Sequence, residues 1–173
     1  EYSIKPPSYI EKISNLLPNK EDWKRSIMPI LRGSAIGFFA SVMPGAGATV
    51  ASMLAYATEK RISKHPEKFG TGIIEGVAAP ESANNAATGG AMVPLLVLGV
   101  PGSGTAAVMM GALLVHGMRP GPLLLEKHPD FFWAVIASMY IGNVMLLILN
   151  LPLVGIWARM LKIPHAVLIP LIL

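Results

Sequence analysis

Three stretches of this chain, residues 33–58, 82–118 and 131–158, contain no Asp, Glu, Lys or Arg. Crossing about 30 Å of hydrocarbon takes about 20 helical residues, and each stretch is long enough. Only 14% of the 173 residues are charged and 53% are hydrophobic, whereas soluble domains carry about 25% charge. The competing reading is a soluble protein with a large buried core, and the uninterrupted runs count against it. The expected fold class is all-α: a polytopic transmembrane helical bundle.

Two of the three runs are interrupted in the same way. The segment VMPGAGATVA holds Pro44 and Gly45, and GVPGSGTAAV holds Pro101 and Gly102. Proline ends a helix by removing a donor and clashing with the preceding turn. In hydrocarbon, irregular backbone survives only where protein or a water-filled cavity covers it. The helix restarting after each turn has first-turn N–H groups without partners, at the positive end of its dipole. Such an end suits an anion. Discontinuous helices at matching positions mark the midplane site of secondary transporters. The small residues after each turn allow close approach of backbone and ligand. Hydroxyls on Thr49, Ser103 and Thr105 add donors. A nucleotide-binding loop would need a lysine after its last glycine, and neither turn has one. Packing glycines and prolines are common in membrane helices, but a matched pair with hydroxyls favours a site.

Between the turns lies GIIEGVAAPESANNAATGG, with Glu75, Glu81, Asn84 and Asn85 among small residues. Polar groups at membrane depth are costly and normally serve a substrate or ion route. The amides can hold a carboxylate by N–H donation or a sodium ion through oxygen. A helix break at Pro80 and Glu81 would free carbonyls for a cation. An ordinary polar surface loop is the alternative.

Other function classes find little support. With no cysteine, disulfides and thiolate metal sites are excluded. His65, His116, His128 and His165 lack metal-ligand spacing, and Ser52, Ser103 and Ser138 have no recognisable base, so no enzyme is expected. The methionines read as packing. The net charge of +4 is dispersed, without the basic stripe that nucleic-acid binding needs. The chain opens at Glu1 and stops within the apolar run AVLIPLIL, and is expected to be part of a longer membrane protein.

Segmentation follows from these features. Residues 1–26 form a polar cytoplasmic lead-in, with Asn19 as helix N-cap and Glu21 and Asp22 in the first turn. Residues 27–58 form a first broken-helix hairpin, in which Pro29 is expected to kink or restart the helix. Residues 59–70 form a basic loop, 71–116 a second broken-helix unit, 117–130 a loop, and 131–173 further transmembrane helices. Basic residues outnumber acids in 1–32, 59–70 and 159–165 but only balance them in 117–130. The positive-inside rule places the first three in the cytoplasm and the fourth outside.

The quoted turns, extended to GFFASVMPGAGATVASMLAYATEKR, FGTGIIEGVAAPESANNAATGGAMVPLLVLGVPGSGTAAVMMGALLVHGMRPGP and LNLPLVGIWARMLKIP, carry a resemblance. They resemble the large membrane subunit of the bacterial tripartite tricarboxylate transporters, over most of residues 32–173. The resemblance implies one half of an inverted-repeat transporter with re-entrant hairpins, a multi-pass protein of the bacterial inner membrane. It implies a small membrane subunit, a periplasmic binding protein delivering a carboxylate such as citrate, and an ion gradient as driving force. No cofactor is implied beyond a coupling Na+ or H+. The family's motifs fall on residues 44–49, 81–85 and 101–105. Substrate-binding candidates are Gly45, Ala46, Gly47, Ala48, Thr49, Asn84, Asn85, Gly102, Ser103, Gly104 and Thr105. Ion-coupling candidates are Glu81 and Asn84. A membrane scaffold subunit and a passive anion channel are the alternative functions.

Overall fold

The structure, a computed structural model, describes the backbone of residues 17–160 and the side chains of 17–156. It is helical, with no strand among the described residues. They divide into a compact unit, Asn19–Ala134, and a second unit that takes in the chain from Val135.

In the first unit, α1 spans Lys20–Val42 and starts at a reciprocal cap. Asn19 Oδ1 accepts from the Asp22 backbone N–H at 2.9 Å, and Asp22 Oδ2 accepts from the Asn19 N–H at 3.0 Å. A turn through Pro44 and Gly45 leads to α2, Gly47–Ile62. A short 3-10 turn, Pro66–Lys68, precedes α3, Glu75–Val93, which runs into a π-helical turn at Pro94–Leu98. A second turn through Pro101 and Gly102 leads to α4, Gly104–Val115. The one-turn α5, Leu124–Lys127, precedes α6, which starts at Pro129.

Helices α1, α2 and α3 pack on one another through small residues spaced four apart. Gly33, Gly37 and Ser41 are buried on α1, Ala51 and Ala55 on α2, and Ala79, Ala83 and Ala87 on α3. A four-residue spacing keeps one helix face, and small side chains let backbones approach. A Cβ placed on Gly37 would overlap the backbone of Ala83.

Several expected boundaries shift. No break occurs at Pro80, which lies inside α3, so the helix stays continuous there and only the Gly76 carbonyl loses its helical donor. Proline 80 deletes only its own N–H bond, and packing of Ala79, Ala83 and Ala87 holds the helix through it. Pro29 and Pro152 likewise lie inside helices. The charged residues Glu59, Lys60 and Arg61 are helical, because α2 continues to Ile62 rather than ending near Thr58. The 117–130 stretch contains α5 and the first residues of α6.

Helix α6, Pro129–Met160, extends into the second unit. Its segment Pro129–Ile156 is the one helix among the described residues long and apolar enough to cross a membrane, and it contains an 18-residue stretch with a mean hydropathy of 2.0. The other two charge-free runs are cut by their Pro-Gly turns. At about 1.5 Å per residue, the 16 residues of α2 reach about 24 Å and the 12 of α4 about 18 Å. Residues 161–173, part of the expected terminal helices, lie outside the described residues.

Candidate ligand cavity between the two turns

Gly45 sits at φ +95°, a conformation open mainly to glycine. This turns its N–H toward the second turn, where it donates to the carbonyl of Gly102 at 3.0 Å. Gly102 packs here too, where a Cβ would make ordinary van der Waals contact with the Ser41 carbonyl and Pro44 Cα. The second turn is held from its other side. Gly99 adopts φ +72°, and a Cβ on it would press into the Pro120 carbonyl. The Gly121 N–H meanwhile donates to the Leu96 carbonyl at 3.1 Å.

Beside the joined turns lies a cavity of about 200 Å³. Its wall includes Ser41 of α1, Gly47 and Ala48 of α2, Thr88 of α3, and Ser103 and Thr105. No charged side chain lines it. Ser103 caps α4: its Oγ accepts from the Ala106 N–H at 3.2 Å. The N–H groups of Gly104 and Thr105 have no backbone partner among the described residues. No side chain caps α2. Each helix N-terminus carries about half an elementary positive charge. The two first turns on this wall can therefore offset about one negative charge without any lysine or arginine.

Of the sequence candidates, Gly47, Ala48, Gly102, Ser103 and Thr105 line the cavity. Gly45 joins the turns, while Ala46, Thr49 and Gly104 belong to the same turns without lining it. Glu81, Asn84 and Asn85 are exposed on α3 and do not line it. Asn85 Nδ2 donates to the Glu81 carbonyl of its own helix at 3.0 Å. Asn84 lies one helical turn before Thr88, on the same face.

Ser41 escaped sequence reasoning. It is 2% exposed, and its Oγ is the one buried side-chain polar atom among the described residues without a hydrogen-bond partner. The available signal was its place in the series Gly33, Gly37, Ser41, which puts it on the packed face of α1.

A second cavity, of about 280 Å³, lies where α1 begins and α2 ends. Arg25 makes a two-pronged ion pair with Glu75, both contacts at 2.8 Å. Arg32 does the same with Glu59 at 2.9 and 2.6 Å. These pairs clamp α1 to α3 and to α2 at the end remote from the Pro-Gly turns. In the following loop, His65 Nδ1 lies 3.3 Å from Glu67 Oε1. A backbone hydrogen bond first, and His65 second, hold the exposed Glu67 carboxyl below its ordinary range.

Among the described residues no group of His, Asp and Glu could hold a metal ion. No titratable side chain lines the turn cavity. These features define a helical protein with one helix, among the described residues, long and apolar enough to cross a membrane and an uncharged, hydroxyl-lined cavity. The chain belongs to the tripartite tricarboxylate transporter TctA family, which it matches over residues 3–173. It is 48% identical over 163 residues to an uncharacterized 52.8 kDa protein in the TAR-I ttuC' 3' region of Agrobacterium vitis, covering 94% of this chain and 32% of that protein. It is 50% identical over 140 residues to a protein in the TAR-II ttuC' 3' region of the same organism, with 81% and 56% covered. The chain thus spans about a third and about half the length of these two relatives. No solved structure matches it.

Proposed function

We propose that this chain is part of the membrane subunit of a secondary transporter that imports a tricarboxylate or related carboxylate. The substrate, citrate being the type case, arrives on a periplasmic binding protein. A small membrane subunit completes the assembly in the bacterial inner membrane, which the chain crosses several times. The turns at 44–49 and 101–105 interrupt membrane helices and hold the carboxylate at the helix starts. This chain is one half of an inverted repeat. Asn84 and Asn85 complete the polar route, and Glu81 and Asn84 serve the coupling Na+ or H+. Family membership supports the transporter reading.

The observation that carries the site is the hydrogen bond from Gly45 N–H to the Gly102 carbonyl beside an uncharged cavity. It joins two turns far apart in sequence at two positive helix ends, an arrangement suited to a carboxylate and poor for a cation. The test is uptake of labelled citrate by the full complex in proteoliposomes. The variant carrying Gly104→Val and Asn85→Ala is expected to lose uptake while still assembling. Normal uptake by that variant would sink the site assignment. Flux without saturation or dependence on an ion gradient would instead identify a passive channel.

A further inference from the structure

We propose that Ser41 is a direct substrate-binding residue, its hydroxyl donating to an oxygen of the carboxylate in the turn cavity. This rests on the carboxylate-site reading above and adds a donor from α1, outside both turns.

A helical serine ordinarily satisfies itself by donating to a carbonyl three or four residues back. Ser52 does so to Ala48 at 2.9 Å, Ser82 to Ala79 at 2.9 Å and Ser138 to Val135 at 2.7 Å. Ser41 does not, although it is buried. A buried polar atom without a partner is costly and uncommon in native structures. The neighbours fix its place: a Cβ on Gly90 of α3 would come within 3.1 Å of Ser41 Cβ, and Gly102 lies against the Ser41 carbonyl. With its backbone fixed between α3 and the second turn, Ser41 stands on the cavity wall.

The cavity wall decides what the hydroxyl meets. It carries the first turns of α2 and α4, with their N–H groups, and no carboxylate. Helix N-termini disfavour a cation and favour an anion. A carboxylate has two oxygens and accepts several hydrogen bonds. One oxygen can take the N–H groups of the α4 start while the other takes Ser41. Ala87, Ala91 and Ala106 also border the space, and larger residues there would fill it. The site thus suits a small carboxylate head group.

The test uses the full complex in proteoliposomes, with citrate as probe. Ser41→Ala should raise the KM for citrate uptake about 10- to 100-fold, the usual effect of losing a hydrogen bond to a charged group, while uptake at saturation stays near wild type. Ser41→Cys, whose thiol is a weak donor, should fall between. Ser41→Ala removes an unpaired hydroxyl, so its melting temperature should equal or exceed that of the wild type, and citrate should raise it less. A citrate KM within twofold of wild type would assign the hydroxyl to a trapped water and overturn the proposal. So would an unchanged citrate KM with a higher requirement for the coupling cation. Gly104→Val separates the two levels. If it abolishes uptake while Ser41→Ala is neutral, only the Ser41 proposal fails. If Gly104→Val also transports normally, the carboxylate-site reading fails with it.

Discussion

Ser103 performs two tasks that substitution can separate. Its Oγ caps α4 by accepting from the Ala106 N–H, and it lines the cavity proposed to hold the carboxylate. Ser103→Ala removes the cap and should cost about 1 kcal/mol of stability, with only a modest loss of citrate uptake. Ser103→Asp keeps an N-cap acceptor and adds a charge favourable to the helix start. It should melt at or above the wild-type temperature yet lose uptake, because a fixed carboxylate occupies the charge compensation meant for the substrate. Thermal unfolding and uptake measured on the same preparations check both; equal uptake by the two variants would contradict an anion site. The Glu59 side chain is 5% exposed and Arg32 is 35% exposed. Losing one partner of a fully buried pair costs about 3–5 kcal/mol, and the partial exposure of Arg32 lowers this. Glu59→Gln should therefore destabilise the full-length subunit by about 2 kcal/mol, read as a lower midpoint in thermal unfolding.

At the scale of elements, the seam between α1 and α3 is closed by absence of side chains. Gly37→Val would drive its branches into the Ala83 backbone, and overpacking of this kind costs about 1–3 kcal/mol or more. The α1–α3 seam should open, which hydrogen exchange over 33–42 and 79–90 would show as lost protection. Gly104→Ala, with nothing within 4 Å of its Cβ, is the contrasting control and should leave that protection unchanged. The start of α1 was legible because Asn19, Glu21 and Asp22 encode a local cap. Both turns were legible because proline and glycine act within their own few residues. The continuity of α3 through Pro80 was not, since it depends on the alanines that α1 and α2 cover. Glu59 looked like a loop residue for the same reason, its partner Arg32 lying on another helix. The cavity itself, and Ser41 within it, exist only once α1, α3 and the two turns meet.

At the scale of the molecule, the unit Asn19–Ala134 has a charged end and a turn end. Arg25, Arg32, Glu59 and Glu75 cluster at the first, and the Pro-Gly turns with the 117–121 stretch gather at the second. From Arg25 to Ser41 is 16 residues along α1, or about 24 Å at 1.5 Å per residue. If the basic end faces the cytoplasm, as the positive-inside rule leads us to expect, the cavity lies most of the way across about 30 Å of hydrocarbon. It is then nearest the periplasmic side, where the proposed binding protein would deliver the carboxylate. Because this chain has no cysteine, single cysteines introduced in a cysteine-free full-length subunit report sidedness directly. A membrane-impermeant maleimide should label Lys64→Cys only in inside-out vesicles and Leu123→Cys only in right-side-out ones. Thr105→Cys, exposed on the cavity rim, should be labelled from outside and protected by citrate. Labelling of Lys64→Cys from outside would reverse the orientation and put the cavity on the cytoplasmic side. Labelling of Thr105→Cys that citrate leaves unchanged would separate the turns from the substrate's path.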